Sequence, residues 1–251
     1  MSEVRSGTYL GHGGTELALH RLGAGRPVIL LHGLFSSAQV NWIKFGTAER
    51  IAAAGFECLM PDLRAHGQSS APHDPADYPE DVLVSDLVAL VSALGLDDYD
   101  LGGFSLGART AVRGVLAGLA PRRLVLGGMG LAGLSGWARR SAHFIDAIDR
   151  FGTIDRGDAA FLAQAFMKTM RVDRVAAQLL LQSVDDTPPD AVGRITMPTL
   201  VVCGADDQDN GNAIDLADAL PEGRYAEIPG NHMSSVTQRQ FGEEIATFLA
   251  A

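Results

Sequence analysis

The sequence predicts a doubly wound α/β fold, in which helices cover both faces of a mostly parallel sheet. Short apolar runs bounded by glycine or proline recur along the chain, at residues 28–31, 56–60, 99–101, 124–126, 199–202 and 224–228. Several of these runs are continuously hydrophobic rather than alternating, which is typical of strands that are covered on both faces. Helical patterns lie between the runs, and this alternation of strand and helix favours the doubly wound architecture.

The segment at residues 81–94 shows the helical pattern clearly. Leucine recurs at positions 83, 87, 90 and 94, directly before Gly95. Spacings of three and four place these side chains on one face of a helix, and glycine is a common helix terminator. Near the start of the chain, residues 8–10 and 16–22 flank a glycine-rich linker, which indicates an antiparallel hairpin that precedes the parallel strands.

About sixty residues, 131–196, separate two predicted strands and interrupt the alternation. Helical stretches around 137–151, 158–170 and 173–183 make this insertion too patterned for disorder and too long for a crossover helix. We therefore expect residues 131–196 to form a small helical cap, and residues 1–130 and 197–251 to form one core domain. Open α/β sheets bind ligands at the carboxyl ends of their strands, where such a cap would wall a pocket.

Composition excludes several classes of protein. Hydrophobic residues make up 47% and charged residues 20%, as in ordinary globular proteins, and the net charge of −10 argues against nucleic acid as a partner. The chain shows neither a signal-peptide core nor a long apolar stretch, so we expect a cytoplasmic protein with no membrane partner. The two cysteines, Cys58 and Cys203, fall in different strand-like runs and are expected to be reduced, and the spacing of metal-ligating residues predicts no metal site.

The run from Gly102 to Gly107 carries the most informative serine. Ser105 lies between an apolar strand-like run and a segment with helical periodicity, with Gly103 and Gly107 on either side. A turn this sharp brings the strand and the helix backbones together, where a Cβ atom would clash. The helix N-terminus beside the serine also favours negative charge that develops nearby. The pattern predicts that Ser105 is a nucleophile.

A serine nucleophile needs a base, and the base needs an acid that fixes its tautomer. His232 is the favoured base among the seven histidines because it lies in the loop after the last predicted strand, at the carboxyl edge of the sheet. The loop after the strand at 199–202 offers Asp206, Asp207 and Asp209. Asp207 is our choice of acid, with Asp206 the main rival, and the order serine, aspartate, histidine along the chain fits the motif.

Attack on a carbonyl creates an oxyanion, which two backbone N–H groups can stabilise. We expect these donors to be Leu106, directly after the serine, and Leu34, in the loop that begins His32-Gly33. Arg139 and Arg140 are interpreted as solvated charges of a cap helix, with a contact to a substrate carboxylate as the alternative. An apolar acyl pocket, or else ordinary core, is predicted for a set of large side chains: Phe35, Trp42, Met129, Trp137, Phe144, Phe166, Met167 and Met170.

Together these residues resemble the α/β-hydrolase superfamily, specifically its small esterase and enol-lactonase-like members. The resemblance covers nearly the whole chain and rests on these matches: His32-Gly33, the run at 61–69, the elbow at 103–107, Met197-Pro198, Asp207 and His232. It implies an eight-stranded, mostly parallel sheet in the order 1-2-4-3-5-6-7-8, no cofactor, and structural roles for Asp62, Arg64 and Gly67. The chain departs from the usual pattern at Ala65 and at Ala108-Arg109, where relatives often have glycine.

The expected reaction is hydrolysis of a small carboxylic ester or lactone through an acyl-serine intermediate. Epoxide hydrolases and haloalkane dehalogenases resemble this fold but use aspartate as the nucleophile, so Ser105 argues against their chemistry. Carbon–carbon bond hydrolases often carry asparagine before the serine, where this chain has Phe104. The alternatives are such a carbon–carbon bond hydrolase, a perhydrolase or haloperoxidase that uses the same triad, and a slow-turnover receptor for a small molecule.

Overall fold

Eight strands form one sheet in the computed structural model of the protein, which describes residues 3–251. The strands are β1 (Arg5–Leu10), β2 (Glu16–Gly23), β3 (Arg26–Leu31), β4 (Phe56–Pro61), β5 (Asp100–Phe104), β6 (Leu124–Gly127), β7 (Thr199–Gly204) and β8 (Gly223–Ile228). Their spatial order is 1-2-4-3-5-6-7-8. The β1–β2 and β2–β4 pairs are antiparallel and the remaining pairs are parallel. The predicted fold class and strand order are therefore confirmed.

Helices cover both faces of this sheet. They are α1 (Thr47–Ala53), α2 (Val82–Ala93), α3 (Leu106–Leu116), α4 (Trp137–Asp149), α5 (Phe161–Met170), α6 (Arg174–Ser183), α7 (Ala213–Ala219) and α8 (Arg239–Ala250). Among the described residues, none of these helices has the length and apolar character needed to span a bilayer. Short 3₁₀ and π turns connect several of the elements.

The central strand β3 shows why its sequence is continuously apolar. Ile29 and Leu31 pack in the layer that contains α2 and α3, whereas Val28 and Leu30 pack in the opposite layer with α1 and α8. All four side chains are essentially inaccessible to solvent. Burial of an aliphatic side chain of this size stabilises the fold by about 1.5–3 kcal/mol, so both faces of the strand contribute.

Strand β5 is longer than its apolar run predicts. The apolar run predicts a strand that ends at Leu101, but Gly102 and Gly103 continue it by pairing with both β3 and β6. Glycine gives no hydrophobic signal, and at Gly103 it is needed because a Cβ there would lie 2.2 Å from the carbonyl group of Gly107. The strand therefore runs up to the residue before Ser105.

Helices α4, α5 and α6 lie within the 131–196 insertion, and buried arginines attach both of its ends to α3. Arg109 donates hydrogen bonds to the carbonyl oxygens of Gly133 and Leu134 at the entry to the insertion. It also bonds the carbonyl oxygen of Asp185 and the carboxylate of Asp186 at the exit. Helix α3 thus holds both the nucleophile turn at its start and the base of the insertion along its side.

Candidate active site

Ser105 occupies a strained turn between β5 and α3. Its φ and ψ angles are 54° and −111°, in a region that residues with a Cβ rarely adopt. The turn is possible because Gly107 lies against β3: a Cβ at Gly107 would be 2.2 Å from the carbonyl oxygen of Leu31. The strain therefore falls on the serine, which the surrounding packing holds at the carboxyl edge of the sheet.

The structure brings Ser105, His232 and Asp207 together from three separate segments. His232 Nε2 lies 3.0 Å from Ser105 Oγ, and His232 Nδ1 lies 2.9 Å from Asp207 Oδ2. Each of the three residues is at most 9% exposed. This geometry places a base within hydrogen-bond reach of the hydroxyl and an acid on the far side of the ring.

Asp207, and not Asp206, contacts the imidazole. Asp206 lies in the same loop but is exposed to solvent. The second carboxylate oxygen of Asp207 accepts the backbone N–H of Asp209 at 3.1 Å, which fixes the carboxylate in the loop. A loop with several aspartates gives no sequence signal for which carboxylate turns inward. Only the structure therefore distinguishes Asp207 from Asp206.

Phe104 and Asn210 are buried residues that support His232 and its surroundings. The sequence pattern predicted this role for neither of them. The ring of Phe104 packs against the imidazole of His232, with a centroid distance of 5.0 Å. Asn210 donates a 2.7 Å hydrogen bond to the carbonyl oxygen of Gly128, which ties the loop after β7 to the loop after β6. A Cβ at Gly128 would lie 2.6 Å from the Phe104 ring and 3.2 Å from His232 Cε1. The base therefore sits in a space that has no room for a further side chain.

The loop after β3 comes close to the serine. A Cβ at Gly33 would lie 3.6 Å from Ser105 Cβ. Within residues 3–251, the backbone N–H groups of Leu34 and Leu106 have no hydrogen-bond acceptor, whereas the neighbouring N–H groups of Gly33 and Phe35 are bonded to Asn41 and His66. Two unpaired donors beside a nucleophile are the groups that an oxyanion needs.

Two buried histidines hold that loop from below. His66 Nε2 accepts the N–H of Phe35 at 2.9 Å while its Nδ1–H donates to the carbonyl oxygen of Arg64. His32 Nε2 accepts the N–H of Leu63, and its Nδ1–H donates to the carbonyl oxygen of Gly33. Burial lowers the pKa of both rings, that of His66 to about 3. Both histidines are therefore neutral and act as hydrogen-bond acceptors for backbone N–H groups.

A second Ser–His–Asp chain runs from Ser6 through His20 to Asp62. Burial alone would raise the pKa of Asp62, but the hydrogen bond with His20, the nearby His32 ring and two backbone N–H groups lower it to about 2. The ring is reversed relative to the first chain, because Nδ1 contacts the Ser6 hydroxyl at 2.8 Å and Nε2 contacts Asp62 at 3.3 Å. Ser6 lies within β1 rather than at a helix N-terminus, so it lacks the donors that surround Ser105.

Six of the predicted pocket residues fall into two groups. Phe35 and Phe144 form an edge-to-face pair at 5.5 Å that joins the loop after β3 to α4. Trp137 and Met167 of the insertion and Met129 before it are buried in one apolar layer, against which Phe166 also packs. The Trp137 indole N–H donates to the Leu181 carbonyl within the insertion.

The interpretation of Trp42 as a pocket residue is wrong. Its side chain is completely buried in the opposite layer, where it stacks on Phe241 at 5.7 Å. An aromatic residue near the Leu34 loop fits either layer on sequence alone, because the intervening turn decides which side of the sheet it faces.

Met170 ends α5, and Arg139 is exposed, whereas Arg140 is partly buried.

Comparisons with known proteins show what this chain is similar to in sequence and fold. A family model described as the alpha/beta hydrolase fold matches residues 26–124. N-formylmaleamate deformylase from Pseudomonas putida is 39% identical over 125 residues, which cover 49% of this chain and 44% of that protein. Epoxide hydrolase 2 from Siraitia grosvenorii is 32% identical over 107 residues, 41% of this chain and 32% of that protein. The matches thus span less than half the length of these curated relatives.

Solved structures extend the likeness over the whole chain at the level of the fold. An esterase from Exiguobacterium antarcticum superposes with a TM-score of 0.77 and covers 97% of this chain and 99% of its own, with 21% sequence identity. Similarity of this kind reports the shared architecture, and the reaction has to be argued from the site.

Proposed function

This chain belongs to the α/β-hydrolase superfamily, and from that premise we propose that it is a serine hydrolase that cleaves a small carboxylic ester or lactone. The observation that carries the proposal is the continuous contact from Ser105 Oγ through His232 to Asp207, at 3.0 and 2.9 Å. A serine hydroxyl is a weak nucleophile until a positioned base removes its proton.

The proposed reaction has two halves. Ser105 Oγ attacks the carbonyl carbon while His232 Nε2 takes the hydroxyl proton, and the resulting oxyanion accepts hydrogen bonds from the Leu34 and Leu106 N–H groups. The C–O bond to the leaving group then breaks, and the imidazolium returns its proton to the departing alkoxide. Water, deprotonated by His232, attacks the acyl-serine and releases the carboxylic acid. Asp207 keeps the Nδ1 proton in place and stabilises the imidazolium.

Hydrolysis of an N-acyl amide is a second candidate. It uses the same steps with the nitrogen of an amide as the leaving atom, which takes the proton from the imidazolium, and the similarity to N-formylmaleamate deformylase favours it. Epoxide opening is disfavoured because the aspartate nucleophile of that chemistry is replaced by Ser105. The two candidates differ in leaving group, so paired ester and formamide substrates separate them.

The test measures hydrolysis of p-nitrophenyl esters of increasing chain length, a lactone panel and an N-formyl amide. Ser105→Ala is expected to lower kcat by about 10⁴- to 10⁶-fold on the preferred substrate, because the nucleophile and its base act as a unit. Ser6→Ala is the matched control: it removes the serine of the second Ser–His–Asp chain and is expected to retain activity. Equal turnover by wild type and Ser105→Ala would overturn the proposal.

A further inference from the structure

Arg140 carries a partly buried charge that has no carboxylate partner within 4.0 Å among residues 3–251. Its Nη1 donates to the backbone carbonyl oxygen of Asp209, while Nε and Nη2 make no hydrogen bond in the described part of the chain. Two arginines of α3 at the base of the insertion differ, because the buried Arg109 bonds Asp186 and the partly buried Arg113 bonds Asp81. Burial lowers the pKa of Arg140, so its charge is held there at a cost in solvation.

The position of this guanidinium relates it to the site. On one side it lies 5.9 Å from the ring of Phe144, which packs edge-to-face on Phe35, the residue after the oxyanion donor Leu34. On the other side it bonds Asp209, whose own N–H is bonded to Asp207. Arg140 therefore contacts the Asp207 loop directly, and Phe144 of the same helix connects it to the loop after β3.

The unused edge of Arg140 has a defined chemistry. With Nη1 committed to the Asp209 carbonyl, the Nε–H and one Nη2–H remain as two parallel donors, which match the two oxygens of a carboxylate. The two nearby carboxylates do not bind this edge of Arg140. The Asp207 carboxylate is hydrogen-bonded to His232, and Asp209 contacts Arg140 only through its backbone carbonyl oxygen. Arg140 itself is partly exposed rather than enclosed in the core.

We propose that Arg140 binds a carboxylate on the substrate, so that the ester, lactone or amide cleaved at Ser105 is an anion. This inference rests on the proposed function and adds a substrate class to it. Arg140 is then a specificity residue, which acts on the non-reacting end of the substrate and contributes to KM more than to kcat.

The experiment compares two esters that differ in one charge: the p-nitrophenyl monoester of glutarate, and the same compound with its free carboxylate methylated. The wild type is expected to prefer the anion. Arg140→Gln should reduce kcat/KM for the anion by about 10- to 100-fold more than for the methyl ester, chiefly through KM, because a charge-assisted hydrogen bond is lost. Arg140→Lys, which keeps the charge but not the paired donors, should fall between the two. Arg139→Gln, a change at the exposed neighbour, should leave the preference unaltered.

Failure of this inference and failure of the proposed function are distinguishable. Equal loss on both esters in Arg140→Gln would mean that Arg140 only supports the Asp207 loop, and would overturn the inference while leaving the serine mechanism intact. If the wild type hydrolyses neither ester, binding of glutarate to Ser105→Ala decides the matter by calorimetry. If glutarate binds Ser105→Ala and this binding is lost when Arg140→Gln is added to the same protein, the anion site is supported. Absence of glutarate binding to Ser105→Ala would overturn it.

Discussion

At the scale of single residues, His66 shows how a group outside the reaction can set the geometry of a candidate oxyanion site. Phe35 has a positive φ of 58°, which is unfavourable for a residue with a Cβ, and the His66 ring holds its N–H. The adjacent Leu34 N–H is left without an acceptor among residues 3–251. The ring performs this task only when Nε2 is unprotonated, because a protonated nitrogen has no lone pair to accept with.

The low pKa of His66 predicts acid-sensitive stability. Its pKa falls from an ordinary 6.5 to about 3 on folding, so between these values only the unfolded chain binds the proton. The free energy of unfolding should therefore fall as pH decreases below about 6.5, by up to about 1.4 kcal/mol per pH unit for this group. Asp62, with a pKa that folding lowers from 3.8 to about 2, adds a loss in the same direction at still lower pH.

Urea unfolding between pH 7 and pH 4 measures this effect. His66→Gln keeps an acceptor for the Phe35 N–H and a donor for the Arg64 carbonyl but does not titrate, so its stability should change less steeply with pH. His143→Gln, which removes an exposed imidazole from α4, is the control and should follow the wild type. Parallel pH curves for His66→Gln and the wild type would contradict the assignment.

At the scale of secondary-structure elements, α3 organises the protein. Its first turn carries the Leu106 donor, and one turn later Arg109 joins the entry and the exit of the insertion. Arg113, four residues further on, bonds Asp81 and Asp185. The helices of the insertion, α4 among them, are thereby fixed relative to the nucleophile turn at both ends of the segment.

Arg109→Met is expected to loosen the insertion. The change leaves the buried carbonyl oxygen of Gly133 without a donor and that of Leu134 with only the Thr187 N–H, and should lower the free energy of unfolding by about 2–4 kcal/mol. Proteolytic cleavage near 131–136 and 184–189 should become faster. Arg122→Met, at an exposed ion pair with Asp98, is the control and should cost less than about 1 kcal/mol. Equal stability of the two variants would contradict the anchoring role.

At the scale of the whole molecule, the fold was predictable because its signals are local and repeated. Continuous apolar runs report strands covered on two faces, as β3 shows, and the spacing of leucines reports α2. Ser105 could be proposed from the sequence because it lies between a strand and a helix, and the Asp206–Asp207 pair and His232 because they lie in the loops after β7 and β8. Parallel topology makes such positions neighbours in space although Ser105 and His232 are 127 residues apart.

Other parts of the site depend on contacts that leave no local pattern. Asn210 and His66 lie in loops where their residue types are ordinary, and their partners are backbone groups of distant segments. The open donor edge of Arg140 likewise appears only when α4 is placed beside Asp209. Trp42 was misassigned for the same reason, since its layer is set by how the chain turns after β3.

Detection of an acyl-enzyme at Ser105 tests the central claim most directly. The protein is mixed with its best p-nitrophenyl ester, quenched in acid within the first turnovers, and analysed by intact mass and by peptide mapping. We expect a mass increase of one acyl group, located on Ser105 and absent in Ser105→Ala. Turnover with an acyl adduct on a residue other than Ser105 would contradict the serine mechanism. Turnover without any adduct, under conditions where deacylation limits the rate, would contradict it as well.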